Sequence, residues 1–141
     1  MTIKISDVAV GQELPALDLT FTRADLVAYA HASGDLNPIH QDEAFAKSVG
    51  LPDVIAHGML TMGRAIQVVT NWVGDPTAVI DYSVRMTRPV VVPDTAAGSV
   101  VRFSGKVAQI NDNGTIQVEL GAVFGDVKVL GLAKATVRLA Q

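Results

Sequence analysis

Two side chains five positions apart, Asp35 and His40, carry the chemistry most readable in this sequence. They lie in Tyr29-Ala30-His31-Ala32-Ser33-Gly34-Asp35-Leu36-Asn37-Pro38-Ile39-His40-Gln41-Asp42. On a fully extended chain they would stand roughly 17 Å apart. Between them, however, Asn37-Pro38 signals a turn, with the proline fixing φ and the asparagine able to bond its own backbone. A bend there brings the carboxylate and the imidazole towards one point. Flanking one water, they form a general acid/base pair suited to neutral pH. A second group follows in Ala56-His57-Gly58-Met59-Leu60-Thr61. Gly58 opens a predicted helix, where backbone N–H groups have no intrahelical partner and the helix dipole is positive. A carbonyl oxygen gaining charge would be stabilised there, and glycine lets it approach closely. Together these parts suit gain or loss of water beside a carbonyl.

The elements that must hold these groups change character along the chain. Leu14 to Thr20 reads as a short strand. Thr22 then begins a helix with a capping box closed by Asp25; Leu26, Tyr29 and Ala30 follow at helical spacing, and Gly34 ends it. Asp42 to Val49 forms a second short helix with Asp42 and Glu43 at its dipole-favoured start. Gly58 to Val73 is the clearest helix, with Met59, Met62, Ile66, Val69 and Val73 at three- and four-residue steps. It spans about 24 Å. Ala65, Val68 and Trp72 make other faces apolar too, so the helix is expected to be buried. From Ala78 onward the period becomes two. Ile80, Tyr82, Val84 and Met86 alternate with polar residues, as do Val101, Phe103 and Val107, and Ile116 to Phe124. Asn111-Asp112-Asn113-Gly114 and Gly125-Asp126 supply turns, and Val127, Val129, Ala133, Ala135, Val137 and Leu139 form the last apolar face. Antiparallel strands packed on a central helix give an α+β domain covering residues 1–141.

Composition bounds the rest. With 141 residues the chain suits one domain. Its charged fraction is 18%, below the roughly 25% usual for soluble domains, which hints at a substantial subunit interface. Eleven basic residues face 14 acidic ones, without a basic run, which argues against a nucleic-acid partner. There is no cysteine, hence no disulfide framework or thiolate metal site. No apolar stretch approaches the ~20 residues of a membrane span. The start, Met1-Thr2-Ile3-Lys4-Ile5-Ser6-Asp7, lacks a signal-peptide pattern, so a cytoplasmic location is expected.

The Tyr…Gly-Asp-x-Asn-Pro-x-His-x-Asp pattern resembles the signature of the MaoC-like hydratase/dehydratase family. The Ala56-His57-Gly58-Met59-Leu60-Thr61-Met62-Gly63 run resembles that family's entry to its central helix. Further similarity, in Thr70 to Val79 and Val90-Val91-Val92-Pro93, is to the catalytic B subunits of mycobacterial-type (3R)-hydroxyacyl-ACP dehydratases, a group akin to (R)-specific enoyl-CoA hydratases. The resemblance implies a single hot-dog fold, an antiparallel sheet wrapped around a long helix. It implies a dimer whose sheets join, with an identical or different hot-dog partner and an acyl tunnel near the interface. It implies reversible dehydration of (3R)-3-hydroxyacyl thioesters, carried by CoA or acyl carrier protein, to trans-2-enoyl thioesters. Asp35 and His40 are then the catalytic dyad and Gly58 gives the oxyanion amide. No cofactor is implied.

Other readings compete at individual positions. Asn37 belongs to the oxyanion and substrate-binding set with Gly58 and Thr61, although its simplest role is to shape the turn. Thr61 could bond substrate or its own helix backbone. His57 reads as a helix-entry residue bonding backbone, and His31 as exposed. The methionines read as core. A metal site built from Asp35, His40, His57 and Asp42 has suitable ligand types, but its spacing matches no metal signature, and no metal is expected. Arg85, Arg88, Arg102 and Lys106 could receive an acidic carrier protein or the phosphates of CoA. As a whole, the chain could instead be a non-catalytic acyl-thioester-binding partner subunit of a hot-dog heterodimer, or a hot-dog thioesterase.

Overall fold

Strict alternation between buried and exposed residues runs through the centre of a single antiparallel sheet. The computed structural model describes residues 2–141. Its strands are β1 (Glu13–Phe21), β2 (Val79–Met86), β3 (Ser99–Ile110), β4 (Thr115–Phe124), β5 (Val127–Lys128) and β6 (Leu130–Arg138). They are ordered β1-β3-β4-β6-β2, with β5 added beside β4. In β3, Val101, Phe103 and Val107 point inward and are fully buried, while Arg102, Ser104 and Lys106 face out. The β3–β4 hairpin turns at the predicted Asn111 to Gly114 loop, pairing Ile110 with Ile116.

The helices α1 (Arg23–Ser33), α2 (Glu43–Ser48), α3 (Gly58–Ala65) and α4 (Gln67–Val73) lie between β1 and β2 in sequence. Segments α3 and α4 form the central rod on which the sheet folds, with Ala65, Val68 and Val69 sealed in the core. The approach is tightest at Gly105. A Cβ there would stand 3.0 Å from Val68 Cγ1, so glycine interrupts the inward row of β3 where α4 crosses it. This sheet wrapped on its helix is the expected hot-dog architecture.

The structure corrects the sequence reading at three places and adds one feature that the residue pattern does not announce. The predicted continuous helix Gly58–Val73 is divided at Ile66. The Tyr82 hydroxyl donates to the Met62 carbonyl at 2.7 Å, and the helical bond from Ile66 N to the same oxygen is stretched to 3.3 Å. A side chain entering the ladder is a recognised cause of such a break. Burial raises the Tyr82 phenol to a pKa of about 12, so it remains a donor. Secondly, Ile80 and Met86 are half-exposed, because β2 is an edge strand. Thirdly, Val127 is exposed on the two-residue β5, and Leu130 takes the inward place. Finally, the final strand carries a register shift opposite Ser83 and Arg85. There Leu132 is thrown outward at φ 46°.

Candidate active site

The site is launched from the end of α1. Thr22 accepts from Asp25 N and Asp25 accepts from Thr22 N, closing the expected capping box. Burial raises the Asp25 carboxyl, but these bonds and Arg64 outweigh it and hold the group below its usual range. At the far end Gly34 adopts φ 80° and stops the helix. Asp35 follows. Its Oδ1 accepts from Asn37 N at 3.2 Å, and Asn37 Oδ1 accepts from Ile39 N at 3.2 Å. These two interlocked turns lead into a 3-10 turn, Pro38–His40. The returning chain is fixed by Ala56 N to Val90 O and Val92 N to Val54 O, 2.9 and 2.8 Å. Arg23 clamps it from below, donating to Val92 O at 2.6 Å and to Asp53 Oδ1 at 2.7 Å.

That folding gives His40 a defined tautomer. Its Nδ1 lies 2.7 Å from the Ile55 carbonyl oxygen. A carbonyl can only accept, so Nδ1 carries the proton and the neutral ring keeps its lone pair on Nε2. Nε2 stands 4.0 Å from Asp35 Oδ2, too far for a direct hydrogen bond. It is a span that a small oxygen-bearing group can bridge. His40 is nearly buried whereas the Asp35 side chain is half-exposed. Behind His40 lies His57, 1% exposed, with ring centroids 3.9 Å apart and planes at 25°. His57 Nε2 lies 3.2 Å from the Asp35 backbone carbonyl, and Tyr29 packs edge-on against its ring at 4.7 Å. Burial pushes the His57 pKa down; neighbouring His40 does so too, and the Asp35 groups only partly oppose it.

A cavity of about 350 Å³ opens beside His40. Gly58, Thr61, Met86, Arg88 and Leu130 are among its walls, and Arg88 is the one Lys, Arg, Asp or Glu side chain there. Gly58 is the first residue of α3, so its N–H is one of the helix's unpaired donors. The Met86 side chain covers it: a Cβ on Gly58 would meet Met86 Cγ at 3.2 Å and its Sδ and Cε at 3.3 Å.

Of the sequence-predicted residues, Asp35 and His40 face each other, and Gly58 and Thr61 share the cavity with His40. Thr61 Oγ1 also donates back to the His57 carbonyl at 3.4 Å. Asn37 Oδ1 is occupied in the turn, and neither Asn37 nor Asp35 is among the residues that line the cavity. Met86 is corrected from core residue to cavity wall, and Met59 is exposed. Arg102 pairs with Asp18 at 3.0 Å. The possible metal ligands Asp35, His40 and His57 do cluster, with ligand atoms within 4.8 Å of one another. Yet the histidine rings are stacked nearly parallel, and His40 Nδ1 is bonded to a carbonyl. Stacked rings aim their lone pairs side by side, whereas a shared ion needs them to converge. Sequence reasoning missed the His40–His57 stack, since contact between rings on two separate segments has no signal in residue spacing.

Comparison with known proteins places this geometry. Residues 6–123 match the family described as "MaoC like domain". The chain is 42% identical over 91 residues to the 3-hydroxyacyl-thioester dehydratase X of Mycobacterium tuberculosis, covering 64% of this chain and 31% of that protein. It is 32% identical over 95 residues to the (R)-specific enoyl-CoA hydratase of Rhodospirillum rubrum, covering 67% and 65%. A solved MaoC-like dehydratase superposes with a TM-score of 0.94 at 45% identity, over 99% of this chain and 43% of that one. The chain thus spans less than half of two of these relatives. No helix among the described residues is long and apolar enough to cross a membrane. The Gly-Asp-x-Asn-Pro-x-His turn, the Gly58 helix entry and the wrapped sheet therefore have one common explanation: the chain belongs to the MaoC-like hydratase/dehydratase family.

Proposed function

We propose that this chain catalyses the reversible dehydration of (3R)-3-hydroxyacyl thioesters to trans-2-enoyl thioesters. The observation that carries the reading is the Nε2 lone pair of His40 held 4.0 Å from the Asp35 carboxylate, beside a cavity that also reaches the start of α3. Dehydration removes a proton from C2 and adds one to the departing C3 hydroxyl; hydration reverses both. The chemistry needs a proton acceptor and a proton donor on either side of one water-sized space, and Asp35 and His40 can exchange those roles. As charge moves onto the thioester oxygen, the Gly58 N–H and the helix dipole stabilise it. Thr61, Met86 and Leu130 wall the acyl group, while Arg88 offers a cation to the carrier, whether CoA or acyl carrier protein.

The same reading includes a second hot-dog unit, identical or different. Edge strand β2 leaves a row of backbone groups open and presents Ile80 and Met86 half-exposed. The opposite edge, β1, is blunted by Pro15 and a register shift between Leu14 and Leu17. The solved relative of which this chain spans 43% has room for another unit of this size.

The decisive assay follows consumption of an enoyl thioester by wild type, Asp35→Asn and His40→Ala. Loss of turnover in both variants, with folding retained, supports the dyad; wild-type rates in either one remove that residue from the mechanism. Native mass measurement tests the pairing, and a monomer at full activity would exclude it.

A further inference from the structure

One buried side-chain atom beside the dyad stands without a partner. Among the described residues, His57 Nδ1 is the buried side-chain nitrogen or oxygen without a hydrogen bond. An unpaired buried nitrogen is a cost that a residue present only for packing would not carry, since a phenylalanine or leucine fills the same space without it. His57 must therefore be held by what the rest of its ring does.

That ring touches both members of the dyad and adjoins the third part of the site. Its Nε2 lies 3.2 Å from the Asp35 backbone carbonyl, which can only accept, so Nε2 carries the proton and Nδ1 is the bare nitrogen. Its face lies against the His40 ring, centroids 3.9 Å apart. In the chain it immediately precedes Gly58 and is the N-cap of α3. Asp35 is half-exposed on a turn made only of local bonds, to Ser33 Oγ and Asn37 N. The bond from His57 ties that turn to the central helix.

We propose that His57 is a positioning residue of the hydratase/dehydratase site: a neutral imidazole, protonated on Nε2, that fixes the Asp35 peptide with one edge and the His40 ring plane with its face. The inference rests on the dehydratase reading. It assigns His57 no proton transfer. It makes the Asp35–His40 separation a property of His57 as much as of the turn. The titratable groups facing its ring are Tyr29 from α1, His40 from the 3-10 turn and Asp35 from the loop between them.

Two substitutions separate the contacts. His57→Phe keeps the stack, removes the unpaired nitrogen and loses the Asp35 bond. His57→Gln can keep the donor and loses the stack. A misplaced reacting group costs on the order of 100-fold in rate. The expected result for His57→Phe is thus a kcat about 10- to 100-fold lower with KM changed by less than about threefold, and a melting temperature no lower than wild type. His57→Gln should recover part of the kcat lost in His57→Ala. A packing residue gives the opposite pattern, with His57→Phe as active per folded molecule as wild type, and that result overturns the proposal.

Ring-nitrogen NMR on the wild-type protein provides a readout independent of turnover. The expected spectrum shows His57 as the neutral Nε2–H tautomer at pH 7. A His57 protonated on Nδ1 overturns the proposal whatever the variants do. If the wild type converts no enoyl thioester at all, the dehydratase reading fails, and the tautomer alone then decides whether His57 holds Asp35.

Discussion

The β3–β4 hairpin and the segment from Asp35 to His57 are held by opposite means. In the hairpin, stability comes from apolar side chains driven inward, with Phe21 stacked on Phe103 at 6.4 Å and Arg64 lying 4.4 Å from the Phe21 ring. Its polar side chains largely face out. In the site segment, the side chains of Asp35, Asn37, His40, Asp42 and Asp53 each bond a backbone group. Only Ala46, Val54 and Ala56 anchor it to the apolar interior. The difference teaches that folding and geometry of the site rest on different kinds of contact, so damage to one should be readable apart from damage to the other.

Four experiments can break or sharpen that contrast. The largest effect belongs to His40→Ala, expected to lower kcat/KM by about 10²- to 10⁴-fold while thermal unfolding moves little. In free-energy terms that is about 3–5 kcal/mol in the rate. Phe103→Ala should do the reverse, costing about 3–5 kcal/mol of stability while activity per folded molecule holds. If it slowed the chemistry as strongly, the two regions would not be separable. Arg23→Met sits on the boundary, because its guanidinium joins α1 to Asp53 and Val92. Removing it leaves Asp53 without its cation, and a loss of about 1–3 kcal/mol is expected together with a measurable drop in kcat. Denaturant titration and steady-state kinetics on one preparation would show whether both move.

The smallest effect is a pH dependence. Because burial lowers the His57 pKa in the folded state, the unfolded chain binds a proton first as pH falls. This contribution to stability is complete above the ordinary histidine value of about 6.5 and declines as pH drops below it. His57→Gln should flatten that slope between pH 7 and 5. An unchanged slope would place the loss on a group other than His57; Asp25 acts only at lower pH. That depressed carboxyl contributes stability above the usual range near pH 3.8, lost on further acidification.

Much of this was legible from residue order because the rules involved are local. The capping box at Thr22, the stop at Gly34, the Asn37-Pro38 turn and the alternation of β3 and β4 all depend on neighbours a few positions away. Asp35 and His40 were legible for the same reason. What escaped were contacts between distant segments. Nothing near Ile66 announces that the Tyr82 hydroxyl will enter its helix. The period-two pattern of β2 could not reveal that this strand lies at an edge, leaving Ile80 and Met86 partly in solvent. Leu132 at positive φ is likewise set by a partner strand, not by its own side chain.

The methionine over Gly58 has a consequence for how readily this protein could change its diet. Met86 is half-exposed, stands at the end of a peripheral strand, and reaches the cavity with a flexible, unbranched side chain. Exchanging it for a shorter or bulkier residue alters the room in the cavity beside Gly58 without opening a hole in the packed interior. If the proposed dehydratase reading holds, substrate preference can drift at this position under selection, or be steered by an engineer, while the fold keeps its margin of safety.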